Sequence, residues 1–463
     1  MTAPRTMSAS RSTVRSLWFG TAAAVAVSAG LTALGAANAV GDKPMVSPDR
    51  VDDAPMSAGD SFSVVGNFAW RAFIALNWPS RLEADERGVP DRTRSFGDPG
   101  KRVWETFKSD TELFEAGDDG RPIAPSPWAS YDGRNPCGVH NRTKTIATFA
   151  PFADFNQPSF AVGEPGNPLV AQNSAYTRYE IHFNEPEFST LAASGWSQGR
   201  NLPDETHPAH FPVGSIAVKA AWRPLTEADT PAVRARYYVE SAETVDVART
   251  LAAGRVICTK SDVALVGLHI VIKTKSRRQW VWSTFEHVDN VPPAGAGEPD
   301  AKDAGAPYSY FDSSKPKKLW PPLGTANTLP VDWTNPPKLD PVRMQVVRRY
   351  PIHGGTMALN RAYWALPGVK GTVWEHYMLV AAQWPTSAAP PGPDNDGAFS
   401  PGRANDSKVA DESHRSTAKA QENLVNTTME TYLQDLPSSC MACHQAVSNA
   451  RGRDFVGILA GVR

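Results

Sequence analysis

The 463-residue chain has few cysteines, almost no net charge and, beyond its N-terminal region, no long apolar run. A formal net charge of −1 gives no reason to expect binding to nucleic acid or to an anionic membrane. No later stretch approaches the roughly 18 consecutive apolar residues that a membrane-spanning helix needs. No Gly-rich loop of the phosphate-binding type is present either. These absences predict a globular chain without a nucleic-acid partner and without a transmembrane segment after the N-terminal region.

The N-terminal region has the three parts of a secretory signal peptide. Three arginines precede the first acidic residue, Asp42, and the apolar run LWFGTAAAVAVSAGLTALGAA follows them. The run ends at Ala37-Asn38-Ala39, which has the A-x-A form of a cleavage site. No two arginines are adjacent here, which favours the general secretory route over the twin-arginine route. We predict export to the periplasm or beyond, with cleavage after Ala39; an uncleaved signal anchor is the alternative.

Two of the four cysteines lie close together near the other end, in the sequence Cys440-Met441-Ala442-Cys443-His444. This is the C-x-x-C-H form of a c-type haem attachment site. Thiols at this spacing reach both vinyl groups on one porphyrin edge, and the following histidine lies under the iron as proximal ligand. The alternative is an exposed redox pair that precedes a histidine by chance. The export signal favours haem, so we predict one haem c on Cys440 and Cys443, with His444 as proximal ligand.

The other two cysteines, Cys137 and Cys258, belong to no C-x-x-C-H sequence. Spare cysteines often pair in an oxidising compartment. A bridge between them would close a loop of about 120 residues, worth roughly 4–5 kcal/mol in the chain-entropy model. Two isolated cysteines, with Cys258 buried in a strand, are the alternative.

The sixth iron ligand cannot come from the residues after His444, because they include no His, Met, Lys, Cys or Tyr. Either an upstream residue supplies it or the site is open. Met429 precedes Cys440 by eleven residues, and His269 and His287 lie on a predicted hairpin, where the register decides whether they share a face. We favour His287, since its acidic neighbours are suited to tuning an imidazole for proton transfer. For each candidate, packing or surface exposure is the competing interpretation.

The pattern along the chain predicts an α+β fold, with a strand-rich central body, N-terminal helices and a short C-terminal helical haem segment. Helical periodicity is present in 61–81 and 102–117, and again in 416–436. Segments rich in β-branched and aromatic residues predict the strands, of which the fourth and fifth form a hairpin. These segments are YEIHFNE, VGSIAVKAAWRPL, RARYYVESAE, DVALVGLHIVIKTK, RRQWVWSTFEHVD and WEHYMLVAAQWP.

Four regions follow from this pattern. We expect a signal peptide at 1–39 and an α+β body at 40–385, with a Pro/Gly-rich insert at about 289–342. A polar linker at 386–415 and a C-terminal helix with the haem segment at 416–463 complete the chain.

The sequence Gly195-Trp196-Ser197-Gln198-Gly199 matches the nucleophile elbow of α/β-hydrolases. That elbow needs an apolar strand before the serine and a helix after it. The preceding FSTLAAS is weakly apolar, and two prolines follow within nine residues of Gly199. We therefore predict a turn here and no serine hydrolase.

Four segments together resemble a group of poorly characterised bacterial exported proteins of the cytochrome c family. They are FAWRAFIALNWP, GSIAVKAAW, GLHIVIKT with QWVWSTFEHVDN, and NTTMETYLQ with SSCMACH. The resemblance implies the haem site at Cys440, Cys443 and His444 and no particular activity. The C-terminal placement of the motif also resembles that in cytochromes c′ and in a β-sheet haem family with a lysine–haem cross-link, both of which keep an open distal face. The strand-rich middle of this chain does not fit the four-helix bundle of cytochromes c′.

These observations predict an exported monohaem c-type cytochrome that binds haem covalently and transfers electrons to or from a periplasmic redox partner. The alternative is a haem-dependent redox enzyme, peroxidase-like or oxygenase-like, or a gas-binding protein, with an open distal site for a small molecule. The length of the body before the haem motif favours the alternative, because a simple carrier needs only about a hundred residues.

Overall fold

The structure is a computed structural model, and the residues that it describes belong to one compact unit, Ala37–Arg463. They are 43–50, 52–53, 62–81, 86–131, 137, 144–146, 169–204, 206–207, 209–246, 249, 252–275, 280–293, 307–314, 343–348, 350–384, 426–431, 434, 440, 444, 454 and 457. The predicted signal peptide, the predicted linker, most of the Pro/Gly-rich insert, and Cys443 lie outside these residues.

An eight-stranded mixed sheet forms the centre of the molecule. Its strands are β1 Lys108–Ser109, β2 Lys144–Ile146, β3 Arg178–Phe183, β4 Ile216–Pro224, β5 Val239–Val245, β6 Cys258–Ile272, β7 Val281–His287 and β8 Tyr377–Gln383. The spatial order is β1-β3-β4-β6-β5-β2, with β7 paired to β6 and β8 paired to β7. Every pair is antiparallel except β2 with β5. The predicted α+β class and the predicted antiparallel pairing of β6 with β7 are therefore confirmed.

The long strand β6 organises the sheet because two strands share one of its edges. Its first half pairs with β5 and its second half, from Gly267 onward, pairs with β7. Its other edge pairs with β4 from Val263 to Ile272. The fully buried run from Val263 to Val266 explains its apolar sequence, since a strand covered on both faces needs apolar residues at successive positions.

Residues 249, 252–253, 440 and 444 have helical conformation. Five further α-helices accompany the sheet in the part of the chain that the structure describes. They are α1 Phe62–Leu76, α2 Asp110–Leu113, α3 Glu185–Ala193, α4 Pro231–Arg234 and α5 Gly354–Trp364. None of them is long and apolar enough to cross a membrane.

Helices α1 and α5 cover one face of the sheet, which we call the helix face. Trp70 of α1 stacks on Tyr363 of α5, with ring centroids 4.7 Å apart, and its Nε1 donates to Asn360 Oδ1 at 2.9 Å. Phe73 stacks on Phe285 of β7 at 4.3 Å. The largest apolar core of the described residues lies here, as the helical periodicity of 61–81 predicts.

The opposite face of the sheet is contacted by the described residues of 426–457, which we call the C-terminal segment. We call this face of the sheet the C-terminal face. Asn426 Nδ2 donates to Thr284 Oγ1 at 3.0 Å and to Phe285 O at 2.9 Å. A Cβ atom on Gly267 would collide with Thr428 Oγ1, so only glycine allows this close approach. Residues 426–428 are therefore part of the core of the protein.

Two predicted helices are corrected by the structure. The segment 102–117 is not one helix, because Phe107 has extended backbone angles and Ser109 begins the separate helix α2 with a capping box. Residues 426–431 form turns instead of continuing the predicted helix 416–436. The side chains of Asn426 and Thr427 bond to the sheet, and residues of this type compete with helical hydrogen bonding in this way.

Candidate haem attachment site

Cys440 and His444 have helical backbone conformation and are both half-buried. Residues four apart lie on the same side of a helical turn, so the thiol and the imidazole face the same region. Cys440 packs against a buried set of side chains that we call the aromatic cluster. Its buried members are Leu113, Phe183, Phe188, Leu191, Trp196, Ala209, Phe211, Trp280 and Trp282.

The imidazole of His444 lies close to Trp282 of the sheet and to Gly457. Its ring centroid is 4.4 Å from that of Trp282 on β7, with the two planes inclined at 51°. A Cβ atom on Gly457 would stand 3.5 Å from Cε1 and Nδ1 of His444, in ordinary van der Waals contact. Trp282 and Gly457 therefore restrict the positions that the imidazole can occupy.

Two features of these surroundings suit a haem group: the thiol and imidazole donors, and the apolar side chains beside Cys440. A porphyrin has large apolar faces, and the aromatic cluster offers a buried apolar surface beside Cys440. No group of three or more His, Cys, Asp or Glu side chains among the described residues could hold a bare metal ion. Haem iron needs fewer protein ligands, because the porphyrin supplies its equatorial ones.

The chain after His444 is held to the sheet by Asp454. Lys273 Nζ, completely buried beyond the end of β6, donates to Asp454 Oδ2 at 2.5 Å. The amide of Phe211 donates to the same carboxylate oxygen at 3.1 Å, and Trp280 Nε1 donates to the carbonyl of Asp454 at 3.1 Å. Burial raises the pKa of Asp454, and the Lys273 ammonium opposes that rise.

The chain before Cys440 is held by Glu286 of β7, which is fully buried. Its Oε1 accepts from the amide of Thr427 at 2.6 Å, and its Oε2 accepts from Thr427 Oγ1 at 2.7 Å. Arg348 Nη2 donates to Oε2 at 2.5 Å. Gln434 Nε2 adds a bond to Val347 O at 2.9 Å. The C-terminal segment is thus fixed on both sides of the C-x-x-C-H sequence.

Glu187 of α3 is a buried acid that interacts electrostatically with Asp454. Burial raises the pKa of Glu187 to about 8, with a further rise from the Asp454 carboxylate that Lys273 partly offsets. Sequence reasoning did not single out Glu187, Asp454 or Trp282. The only local signal was the run of tryptophans in QWVWSTF, which marks β7 as a strand with a large aromatic surface.

His287, the favoured distal candidate, lies on the helix face of β7 because Trp282, Thr284 and Glu286 alternate onto the C-terminal face. Its Nε2 donates to Arg236 O at 3.0 Å, and its Nδ1 accepts from the amide of Asp289 at 3.1 Å. Burial lowers its pKa to about 3. The structure therefore shows a neutral, fixed histidine on the opposite face of the sheet from His444.

His269 lies on the C-terminal face, since it pairs with Thr284 two residues from Trp282. It is therefore on the opposite face from His287, which answers the question of register. Its Nε2 lies 3.6 Å from Glu430 Oε2. Burial raises the pKa of Glu430, but His269 and the Asn426 amide outweigh that effect, so the net shift is downward.

Met429, the third distal candidate, is completely buried in a different apolar cluster. That cluster includes Tyr179 of β3, Val266 of β6 and Met344. Cys440 packs against the aromatic cluster instead. The structure therefore does not bring Met429 together with Cys440.

A disulfide joins Cys137 to Cys258, with the two Cα atoms 5.6 Å apart and 121 positions apart in the sequence. Cys258 is the first residue of β6. The bridge therefore ties Cys137 to the start of β6.

The serine of the Gly195–Gly199 sequence lies in a short 3₁₀ helix, Trp196–Gln198, between two glycines in the left-handed region. The helix α3 precedes it where a nucleophile elbow requires a strand. The predicted turn is confirmed, and the hydrolase geometry is absent from this described segment.

The chain matches no family model, no curated protein and no solved structure.

Proposed function

We propose that this protein is an exported monohaem c-type cytochrome that transfers electrons. Cys440 and Cys443 would hold the haem through thioether bonds, and His444 would bind the iron as proximal ligand. The observation that carries the proposal is the placement of Cys440 and His444 one helical turn apart, beside the aromatic cluster. A bound haem c supplies an iron centre that gains and loses one electron.

The surrounding residues have defined tasks under this proposal. Trp282 excludes water from one side of the His444 imidazole and limits its rotation. The two anchors, Asp454 and Glu286, hold the segment so that little rearrangement accompanies electron transfer. Because Cys440 and His444 each keep part of their surface exposed, a redox partner can approach this region.

Two further observations support export to an oxidising compartment. The Cys137–Cys258 disulfide is of the kind that persists in secreted and periplasmic proteins. The N-terminal sequence has the basic, apolar and A-x-A parts of a signal peptide. We therefore assign the protein to the periplasm or the exterior, and to the exported cytochrome c group that four of its segments resemble.

A second candidate function is a haem-dependent oxidoreductase or gas-binding protein with an open distal position. It is favoured by the positions of two expected distal ligands. Both ring nitrogens of His287 are hydrogen-bonded on the helix face, and Met429 packs in a separate cluster.

Haem staining of the mature protein on a denaturing gel tests the attachment. The full-length chain is expressed with a c-type haem maturation system, and the expected result is a stained band at the protein's mass. The C440S/C443S variant should lose the stain, whereas C137S/C258S, as matched control, should keep it. Absence of covalent haem in the unmodified protein overturns the proposal.

The ferric absorption spectrum, with and without cyanide or nitric oxide, then separates the two functions. A low-spin spectrum that resists both ligands supports the electron carrier and rejects the open site. A high-spin spectrum that responds to them supports the enzyme or gas-binding protein. The H269A variant reports whether His269 occupies the distal position, because its removal would convert a low-spin spectrum into a ligand-responsive one.

A further inference from the structure

Glu187 has a buried carboxyl group that makes no capping hydrogen bond in its own helix. It is the third residue of α3, where a glutamate ordinarily accepts a hydrogen bond from the backbone N–H of the N-cap residue. Here the N-cap is Asn184, and its N–H donates instead to Ile216 O at 3.0 Å. The side chain of Glu187 is completely buried, and neither oxygen has a hydrogen-bond partner among the described residues.

The charged groups that face Glu187 are one carboxylate and one ammonium. Asp454 and Lys273 both act on it, and Lys273 Nζ is already bonded to Asp454 Oδ2 at 2.5 Å. His210 also acts electrostatically on Asp454. Within the described part of the chain, two buried carboxyl groups therefore share one buried ammonium. One of the two is stable only with a proton, because an uncompensated buried charge is costly.

Glu187 lies on a helix that contributes two side chains to the aromatic cluster. Phe188 and Leu191, on the same helix as Glu187, belong to the aromatic cluster against which Cys440 packs. Asp454 follows His444 by ten residues in the same C-terminal segment. Phe188 and Leu191 thus connect the helix of Glu187 to the cluster beside Cys440, and a charge in such a buried apolar region acts more strongly than it does in water.

We propose that Glu187 is a proton-binding site linked to the oxidation state of the haem, an inference that rests on the proposed function. Glu187 takes up one proton from solvent when one electron arrives from the redox partner, and it releases that proton when the electron leaves. The added negative charge favours the neutral carboxyl, and the proton balances the electron. Burial raises the pKa of Glu187 to about 8, so we expect this exchange around pH 8.

The test is the midpoint potential of the haem-loaded protein measured as a function of pH. One proton per electron corresponds to a fall of about 59 mV for each tenfold fall in proton concentration. The unmodified protein should show a slope that approaches this value around pH 8. The E187Q variant should lose most of the slope. The E185Q variant, which changes an exposed glutamate in the same helical turn, should keep it.

Two outcomes contradict the inference without touching the proposed function. A potential independent of pH in the unmodified protein shows that no proton is linked to reduction. A slope that persists in E187Q places the proton on another group. Haem content, measured first by staining, separates both from a failure of attachment.

An infrared difference spectrum between oxidised and reduced protein gives a second readout that does not depend on folding of the variant. A carboxylic acid C=O stretch should gain intensity on reduction of the unmodified protein. Absence of any such band overturns the inference even where E187Q is unstable.

Discussion

The pH dependence of folding stability should change when Glu187 is replaced by glutamine. In the folded protein the pKa of Glu187 is about 8, whereas the carboxyl of an unfolded chain titrates at its ordinary value of 4.5. Between these two values the folded state holds a proton that the unfolded state has released. The free energy of unfolding therefore falls as pH rises from 4.5 to about 8, and this contribution is fully present only below 4.5.

The size of the effect follows from the two pKa values. Their difference, at about 1.4 kcal/mol for each pKa unit, gives a loss of about 5 kcal/mol across the window. The E187Q variant keeps the shape of the side chain and has no proton to lose. It should therefore gain stability relative to the unmodified protein as pH rises, by a few kcal/mol between about pH 5 and pH 9.

Urea denaturation at a series of pH values measures this difference. Contributions from all other titratable groups cancel to first order between the two proteins. The E185Q variant serves as control because Glu185 is exposed, and its difference from the unmodified protein should stay small at every pH. A difference between E187Q and the unmodified protein that is constant with pH would refute the assignment of the raised pKa to Glu187.

Three further variants test the attachment of the C-terminal segment and the disulfide. G267A should lose about 1–3 kcal/mol, because the added methyl collides with Thr428, whereas G354A, with open space around its Cβ, should lose far less in the same denaturation assay. R348M should lose about 3–5 kcal/mol, since it leaves Glu286 charged and buried, and the double variant E286Q/R348M should recover part of that loss. C258S should lose roughly 4–5 kcal/mol, the value for a 121-residue loop, and reductant should destabilise the unmodified protein while leaving C258S unchanged.

The sheet could be predicted from sequence because its strands have a strong local signal. The apolar, β-branched run of β6 and the aromatic residues of β7 indicate strands that are buried on both faces, and these two strands pair as a hairpin. The helix α1 could also be predicted from the sequence, since its apolar residues repeat at the helical period. In contrast, α3 and α5 were not predicted. Their periodicity is weaker, and α3 begins at an N-cap whose side chain also bonds to the start of β4.

The relation between the distal candidates could not be predicted from sequence. His269 and His287 share a face or not according to the register of β6 on β7, and a shift of one residue reverses the answer. The turns at 426–431 were missed for a related reason. Asn426 and Thr427 are tolerated in a helix, and only the nearby Glu286 and Thr284 on the sheet make the alternative more stable.

The C-x-x-C-H sequence itself was visible, but the residues that surround it in the fold could not be predicted. The C-x-x-C-H spacing is a local pattern that carries its own chemistry. Glu187 looks like an ordinary residue of a helix start, and its burial depends on a hydrogen bond from Asn184 to β4 that no local pattern shows. Trp282 is one of 14 tryptophans, and only its alternation along β7 places it beside His444.

The body and the C-terminal segment depend on each other for charge compensation. Asp454 and Thr427 bond to Lys273 and Glu286, which are buried beside β6 and on β7. Without the segment, the Lys273 ammonium would lose its hydrogen bond to Asp454 and remain buried near Glu187. The surface at Gly267 that Thr428 covers would also become exposed. The energetic cost of such exposed or unpaired groups makes a stable body without residues 426–457 unfavourable. The long chain before the C-x-x-C-H sequence is therefore the scaffold of the proposed attachment site, because the aromatic cluster and the bonding partners Lys273 and Glu286 all belong to it.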